Sequence, residues 1–277
     1  MHQAGPRPGS ASKTASRDGR YAAPALKKGL EIIEALASQS SALSLTEIAK
    51  QLGYTVNEIF RMVVALEEQD YIHLGEDEKY RLTLKLFELV HRQQPLRSVV
   101  ATALPLMREL ANQRRQSCHL AVYHDGRSMI VAQVDSPERW TFNVKVGAMV
   151  GLLDTASGLV LLAYSDSATR EQLLAAHENL PGSLPVNHQA LAEQIAAIRE
   201  AGYWVRPSQQ TMGVTNIACP IFGADDQVAA ALTVPYVARL DEARTPSIEE
   251  TTELLRVICA RISKLMGCGA GALTPFS

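Results

Sequence analysis

Long apolar runs are missing from this sequence. The longest, residues 229–234 and 159–163, fall far short of the roughly 20 residues that a membrane-spanning helix needs. No membrane segment is predicted. The first 20 residues are rich in Gly, Pro, Ser, Ala and basic side chains and carry no apolar core of the secretory kind, which predicts no export and a cytoplasmic protein. Cysteine is sparse. Cys118, Cys219, Cys259 and Cys268 are widely separated and make no C-x-x-C pair, so neither a zinc site nor a disulfide framework is expected. The seven histidines form no ligand pair at i, i+3 or i+4, and no metal or cofactor is expected. Net charge is also small, at −2, but for a nucleic-acid binder the distribution matters more than the sum. Residues 1–28 hold Arg7, Lys13, Arg17, Arg20, Lys27 and Lys28 against the single acid Asp18, so the chain opens on a basic arm. On composition alone that arm reads equally as a solvated disordered tail.

What is present is a 277-residue chain with 47% apolar residues, enough to bury the cores of two domains. After Pro24, Leu26, Leu30, Ile33 and Ala37 recur at helical spacing. Ser44-Leu45-Thr46-Glu47 has the spacing of a capping box and predicts a helix from Leu45 to about Gln51, ended by Gly53. A third helix is predicted over residues 56–69 on the stripe Ile59, Val63 and Leu66. Helix, tight turn and helix is the helix-turn-helix unit. Two strand-like runs, Tyr71-Ile72-His73-Leu74 and Lys79-Tyr80-Arg81-Leu82, flank Gly75-Glu76-Asp77-Glu78 and read as a hairpin, the wing. Its acidic tip would repel phosphates, leaving contacts to the basic arm.

Residues 83–115 read as helix interrupted at Pro95. Strand-like runs follow at 118–123, 128–134 and 141–146, then helices at 155–164, 168–176 and 188–201. Two apolar strands at 217–222 and 228–234 and a helix at 247–266 complete the pattern. The fold class is therefore α+β: an N-terminal winged helix-turn-helix and a C-terminal domain with a mostly antiparallel sheet. The expected division is a basic arm at 1–23, a DNA-binding domain at 24–83, a helical linker at 84–115, an effector-binding and oligomerisation domain at 116–270, and a tail at 271–277.

The N-terminal residues of the third helix would face base edges in the major groove. Asn57, Glu58 and Arg61 share one polar face: Arg61 can donate a bidentate pair to guanine, Asn57 can read adenine, and Glu58 can accept from the cytosine amino group. The candidate DNA contacts are Ser44, Thr55, Val56, Asn57, Glu58, Phe60 and Arg61, with Lys79 and Arg81 from the wing. Asp154, before Thr155, is expected to cap a helix whose free amides favour an anion, although its own charge opposes one.

From Ala25 to Gly267 the chain resembles the IclR family of transcriptional regulators. Leu43-Ser44-Leu45-Thr46-Glu47-Ile48-Ala49, Leu52-Gly53, Ile59-Phe60-Arg61, Leu66-Glu67, Tyr71-Ile72 and Tyr80-Arg81-Leu82-Thr83 carry the likeness in the first half. Cys118-His119-Leu120-Ala121-Val122, Val146-Gly147, Asp154-Thr155-Ala156-Ser157-Gly158, Gly202-Tyr203, Gly213-Val214 and residues 217–222 carry it in the second. The resemblance implies a GAF-like effector domain whose pocket is lined by Gly147, Ala148, Met149, Leu153, Thr155, Ser157, Cys219 and Thr233. It also implies a homodimer or homotetramer on operator DNA of approximate two-fold symmetry, controlled by a small organic acid, aromatic or sugar-derived, for a catabolic operon. Three positions depart from the family's pattern: Glu58 stands where a small hydroxyl residue is frequent, and Leu153 and Leu159 stand where a histidine and a lysine are common. No nucleophile, acid and base can be assembled from spacing, so an enzyme is not expected. Two alternatives remain open at this point: thiol or other chemistry in the GAF-like domain, at Cys219, and a C-terminal domain that only oligomerises.

Overall fold

In a computed structural model the described residues are 23–39, 41–92, 94–180, 182–239 and 246–269. The basic arm and the tail fall almost wholly outside them. The chain divides into two compact units after Arg92.

The first unit comprises α1 (Pro24–Ala37), α2 (Leu45–Leu52), α3 (Val56–Glu68), β1 (Ile72–Leu74), β2 (Tyr80–Leu82) and α4 (Lys85–Arg92). Each helix start has a local cause. Pro24 opens α1, where its missing N–H costs nothing. Ser44 and Glu47 close a reciprocal capping box at α2, and Gly53 ends that helix at φ +72°, a backbone conformation that L side chains rarely adopt. The core gathers Ile32, Leu36, Ile48, Ile59, Val63, Ile72 and Tyr80. Burying each of the large aliphatic side chains contributes about 1.5–3 kcal/mol. The face of α1 that is buried differs from the stripe read in the sequence. Gly29, Ile32, Ala35 and Leu36 turn inward, whereas Leu26 and Leu30 stay 64% and 51% exposed. Helix α1 is apolar on two sides, and α2 and α3 select the one they pack against.

The second unit comprises α5 (Gln94–Arg114), β3 (Cys118–His124), β4 (Arg127–Val134), β5 (Met149–Val150), α6 (Ala156–Tyr164), α7 (Ser167–Glu178), α8 (His188–Ala201), β6 (Trp204–Pro207), β7 (Val214–Phe222), β8 (Val228–Val237) and α9 (Ile248–Leu265). Its six strands lie in the order β5-β4-β3-β8-β7-β6, with every neighbour antiparallel. Strand alternation divides the sheet between two cores. Leu120, Ile217, Cys219, Ile221, Leu232 and Val234 face α5 and α9. Ala218, Ala231 and Trp204 face α6, whose residues 156–163 are all buried.

Three details differ from the sequence reading. Residues 141–146 form no strand, and the edge strand β6 was not anticipated because four residues ending in Pro207 give a weak periodic signal. Helix α5 is more than a linker: Val99, Ala103, Met107, Leu110 and Ala111 are part of the α5/α9 core. As the sequence reading has it, the helical stretch is divided near Pro95, into α4 and α5, with Pro95 in the first turn of α5 and Pro105 carried inside that helix.

Candidate DNA-binding face and effector cavity

Helix α3 begins with a second capping box that the sequence reading had not assigned. The Thr55 amide and hydroxyl both donate to Glu58 Oε2 at 2.9 Å, and the Glu58 amide donates back to Thr55 Oγ1 at 3.4 Å. Lys28 Nζ reaches Glu58 Oε1 at 2.9 Å. The Thr55 amide first, then Lys28 and the Thr55 hydroxyl, hold the Glu58 carboxyl down at about 2. Both oxygens of Glu58 are thus engaged within the protein, which leaves its carboxylate less available to a base edge than the sequence alone suggests. Arg61 and Asn57 are exposed, and among the described residues neither side chain has a partner. Phe60, half exposed beside Arg61, and the half-buried Val56 complete the outer face of the helix. Ser44 is engaged in its own capping box with Glu47.

In the wing, Asp77 grips Arg81 with two hydrogen bonds of 2.9 and 2.6 Å. Asp77 is thereby held at about 2, and the guanidinium is not free for a phosphate unless that pair opens. Lys79 lies 3.9 Å from Glu47. Of the nine residues proposed to meet DNA, Asn57, Phe60 and Arg61 are thus exposed and unengaged, Val56 is half-buried against the core, and Ser44, Thr55, Glu58, Lys79 and Arg81 are bound to neighbours.

In the second unit the segment before α6 folds tightly over the helix start. Thr155, not Asp154, is the cap: its Oγ1 accepts from the Gly158 amide at 3.1 Å and donates to the Gly151 carbonyl at 2.6 Å. Asp154 instead accepts from Gln210 at 3.0 Å. A Cβ on Gly158 would stand 2.2 Å from the Leu152 carbonyl oxygen, so only glycine fits this approach. Beneath the helix start lies a cavity of about 60 Å³ lined by His119, Ser157, Asn216 and Thr233 among others. His119 is 6% exposed, and its Nδ1 and Thr233 Oγ1 are buried without a hydrogen-bond partner. Burial pushes the imidazole down to about 4, so it is neutral at physiological pH. A wider pocket of about 490 Å³ adjoins it through Thr155, Ala156 and Asn216 and is edged by Asp154, Glu193, Trp204 and Arg206.

Three of the eight effector residues read from the sequence, Thr155, Ser157 and Thr233, come together in the small cavity. Gly147, Ala148, Met149 and Leu153 are not among the residues lining either space. Cys219 is a correction: it shares strand parity with Ile217 and Ile221 and is fully buried against α9, where its carbonyl accepts from the Cys259 thiol at 4.0 Å. The β7 residue that reaches the cavity is Asn216, three positions earlier and on the other face. The position of Cys219, fully buried among apolar side chains, removes the structural basis for thiol chemistry there.

A winged helix-turn-helix unit followed by an α+β unit that encloses a small cavity is the architecture of a two-domain DNA-binding regulator. A sequence profile described as the bacterial transcriptional regulator IclR C-terminal domain matches residues 93–264, and one described as the IclR helix-turn-helix domain matches residues 25–74. The chain belongs to the IclR family of bacterial transcriptional regulators. It is 28% identical over 240 residues to the HTH-type transcriptional regulator KdgR of Escherichia coli, covering 85% of this chain and 90% of that protein. Among solved structures it is similar to an IclR homologue from Microbacterium hydrocarbonoxydans complexed with 4-hydroxybenzoate (TM-score 0.69, 25% identity, 87% and 98% of the two chains). It shares the fold of the Thermotoga maritima IclR (TM-score 0.67, 24% identity, 87% and 98%). The family and these relatives are transcriptional regulators, not enzymes. No described helix is long and apolar enough to cross a membrane.

Proposed function

We propose that this chain is a transcription regulator whose affinity for operator DNA is set by a small organic acid bound beneath the start of α6. The observation that carries the reading is the pair of buried, unpartnered polar atoms at the small cavity, His119 Nδ1 and Thr233 Oγ1. A buried polar group without a partner costs free energy unless water or a ligand satisfies it. The acid class is supported by the 4-hydroxybenzoate in the relative from Microbacterium hydrocarbonoxydans. The cavity's about 60 Å³ is room for roughly two waters, so an effector of that size extends into the adjoining pocket.

On the DNA side, Asn57 and Arg61 read bases, with Val56 and Phe60 beside them and Ser44, Thr55 and Lys79 at the flanking backbone, which Arg81 joins when its pair with Asp77 opens. The protein acts as a homo-oligomer, dimer or tetramer, so that two α3 helices meet an operator of approximate two-fold symmetry. The exposed Leu26 and Leu30 on α1 and Leu84 just before α4 supply apolar surface for that contact. Effector control requires that the acid bind one arrangement of the oligomer better than the other.

The test is a panel of aromatic and sugar-derived acids, followed by melting temperature and by operator affinity. An acid that raises the melting temperature and changes operator affinity is the expected result. A panel in which every acid that stabilises the protein leaves operator affinity unchanged removes the sensor reading.

A further inference from the structure

We propose that the effector is a hydroxy acid held in one orientation, its carboxylate on Arg206 and its hydroxyl buried between His119 and Thr233. The inference rests on the function proposed above and assigns the chemistry of that site. Its basis is the register of four adjacent strands. One cross-strand row carries His119, Thr233, Ala218 and Trp204, on β3, β8, β7 and β6 in turn. The next row carries Pro235, Asn216 and Arg206, on β8, β7 and β6. Residues paired across an antiparallel sheet share a face, so all of these side chains look toward α6.

Along that face the polarity changes from one end to the other. At the β3–β8 end the His119 ring is buried and neutral, and Thr233 Oγ1 beside it has no partner. No residue lining this end carries a formal charge when His119 is neutral. A carboxylate there would be a buried unpaired charge, which is costly. A hydroxyl, in contrast, can donate to an imidazole nitrogen and accept from a threonine.

At the β6 end Arg206 lies over the Trp204 ring at 4.7 Å, and it forms no ion pair among the described residues. The two carboxylates facing this pocket are already engaged. Asp154 accepts from Gln210 at 3.0 Å and Glu193 accepts from Gln189 at 3.4 Å. They repel an anion and leave Arg206 as its only cationic anchor among the residues lining the pocket. Asn216 stands between the two ends and lines both spaces. Strands in a sheet are about 4.8 Å apart, so β6 and β8 are about 10 Å apart, and side chains leaning in from both leave room for one ring or a short chain.

The experiment is calorimetric titration of the full chain with matched probes: 4-hydroxybenzoate against benzoate, gluconate against hexanoate, and methyl 4-hydroxybenzoate. At least one hydroxy acid is expected to bind tenfold or more tightly than its deoxy counterpart. Thr233→Val, close in shape to threonine, and His119→Phe should both erase that preference. Arg206→Gln should weaken the acid tenfold or more while leaving its preference over the deoxy acid intact. Equal binding of hydroxy and deoxy acids overturns the proposal, as does full affinity in Arg206→Gln or the failure of both hydroxy acids to bind. A deoxy acid that binds equally well and still alters operator affinity would sink this orientation and leave the regulator reading standing.

Discussion

Lys28 on α1 and Glu58 in the first turn of α3 meet at 2.9 Å, and the same ammonium lies 4.5 Å over the Tyr54 ring, whose hydroxyl donates to Glu31 at 2.8 Å. This cluster fixes α1 against the start of the candidate recognition helix. It uses up the carboxylate at the position where a base contact had been expected.

Glu58→Gln is therefore expected to leave the preferred operator sequence unchanged in a binding-site selection, while weakening the N-terminal unit. Because the folded carboxyl is held at about 2, below its ordinary 4.5, its contribution is present above pH 4.5 and lost as the pH falls toward 2. The urea midpoints of wild type and variant should converge on acidification. A changed base preference would restore Glu58 as a reader.

Arg61→Ala should behave oppositely. Its guanidinium is exposed and has no partner among the described residues, so folding stability should stay within about 0.5 kcal/mol. Operator binding should lose about 1–3 kcal/mol at particular base positions. A uniform loss across sequences would make Arg61 a phosphate contact instead.

The wing is self-paired, and Asp77→Asn releases Arg81 from its clamp. DNA affinity should rise and the dependence of log K on log salt should steepen, by up to about one unit for one added phosphate contact. An unchanged salt slope would mean that Arg81 stays away from the backbone even when free.

Stability of the C-terminal unit should fall on mild acidification. His119 is buried and neutral with a folded value of about 4 against 6.5, so the unfolded chain binds the extra proton between these values and stability rises with pH there. The full effect is on the order of 3 kcal/mol, present above pH 6.5 and lost by about pH 4. Thr233→Val should preserve this dependence, whereas His119→Gln should flatten it. A wild-type denaturation profile flat from pH 7 to 4.5 would contradict the neutral burial of His119.

The N-terminal unit was legible because its signals are local. Ser44-x-x-Glu47 and Gly53 mark helix ends within a few residues, and the hairpin follows from a short turn. Thr55-x-x-Glu58 carries the same signal, yet with Glu58 on the outer face of α3 the base-reading role was the more visible one. The effector face was only partly legible. Thr155, Ser157 and Thr233 came through the family likeness, but His119, Asn216 and Arg206 meet through strand register over more than 80 residues of sequence, which no local pattern encodes. Cys219 was misplaced for a reason the sequence does contain: it alternates with Ile217 and Ile221, whereas Asn216 alternates with Ala218.

The central claim, that an acid bound beneath α6 sets DNA affinity, is tested most directly by measuring operator binding of the full chain as the effector is added. The DNA is an operator recovered by selection from random duplexes, and the acid is one shown by calorimetry to bind. The account predicts a shift of tenfold or more in operator affinity, with saturation at the concentration that saturates the calorimetric site, and with both moved together to tenfold or higher acid concentration in Thr233→Val. Operator affinity that stays constant while the site fills would contradict it.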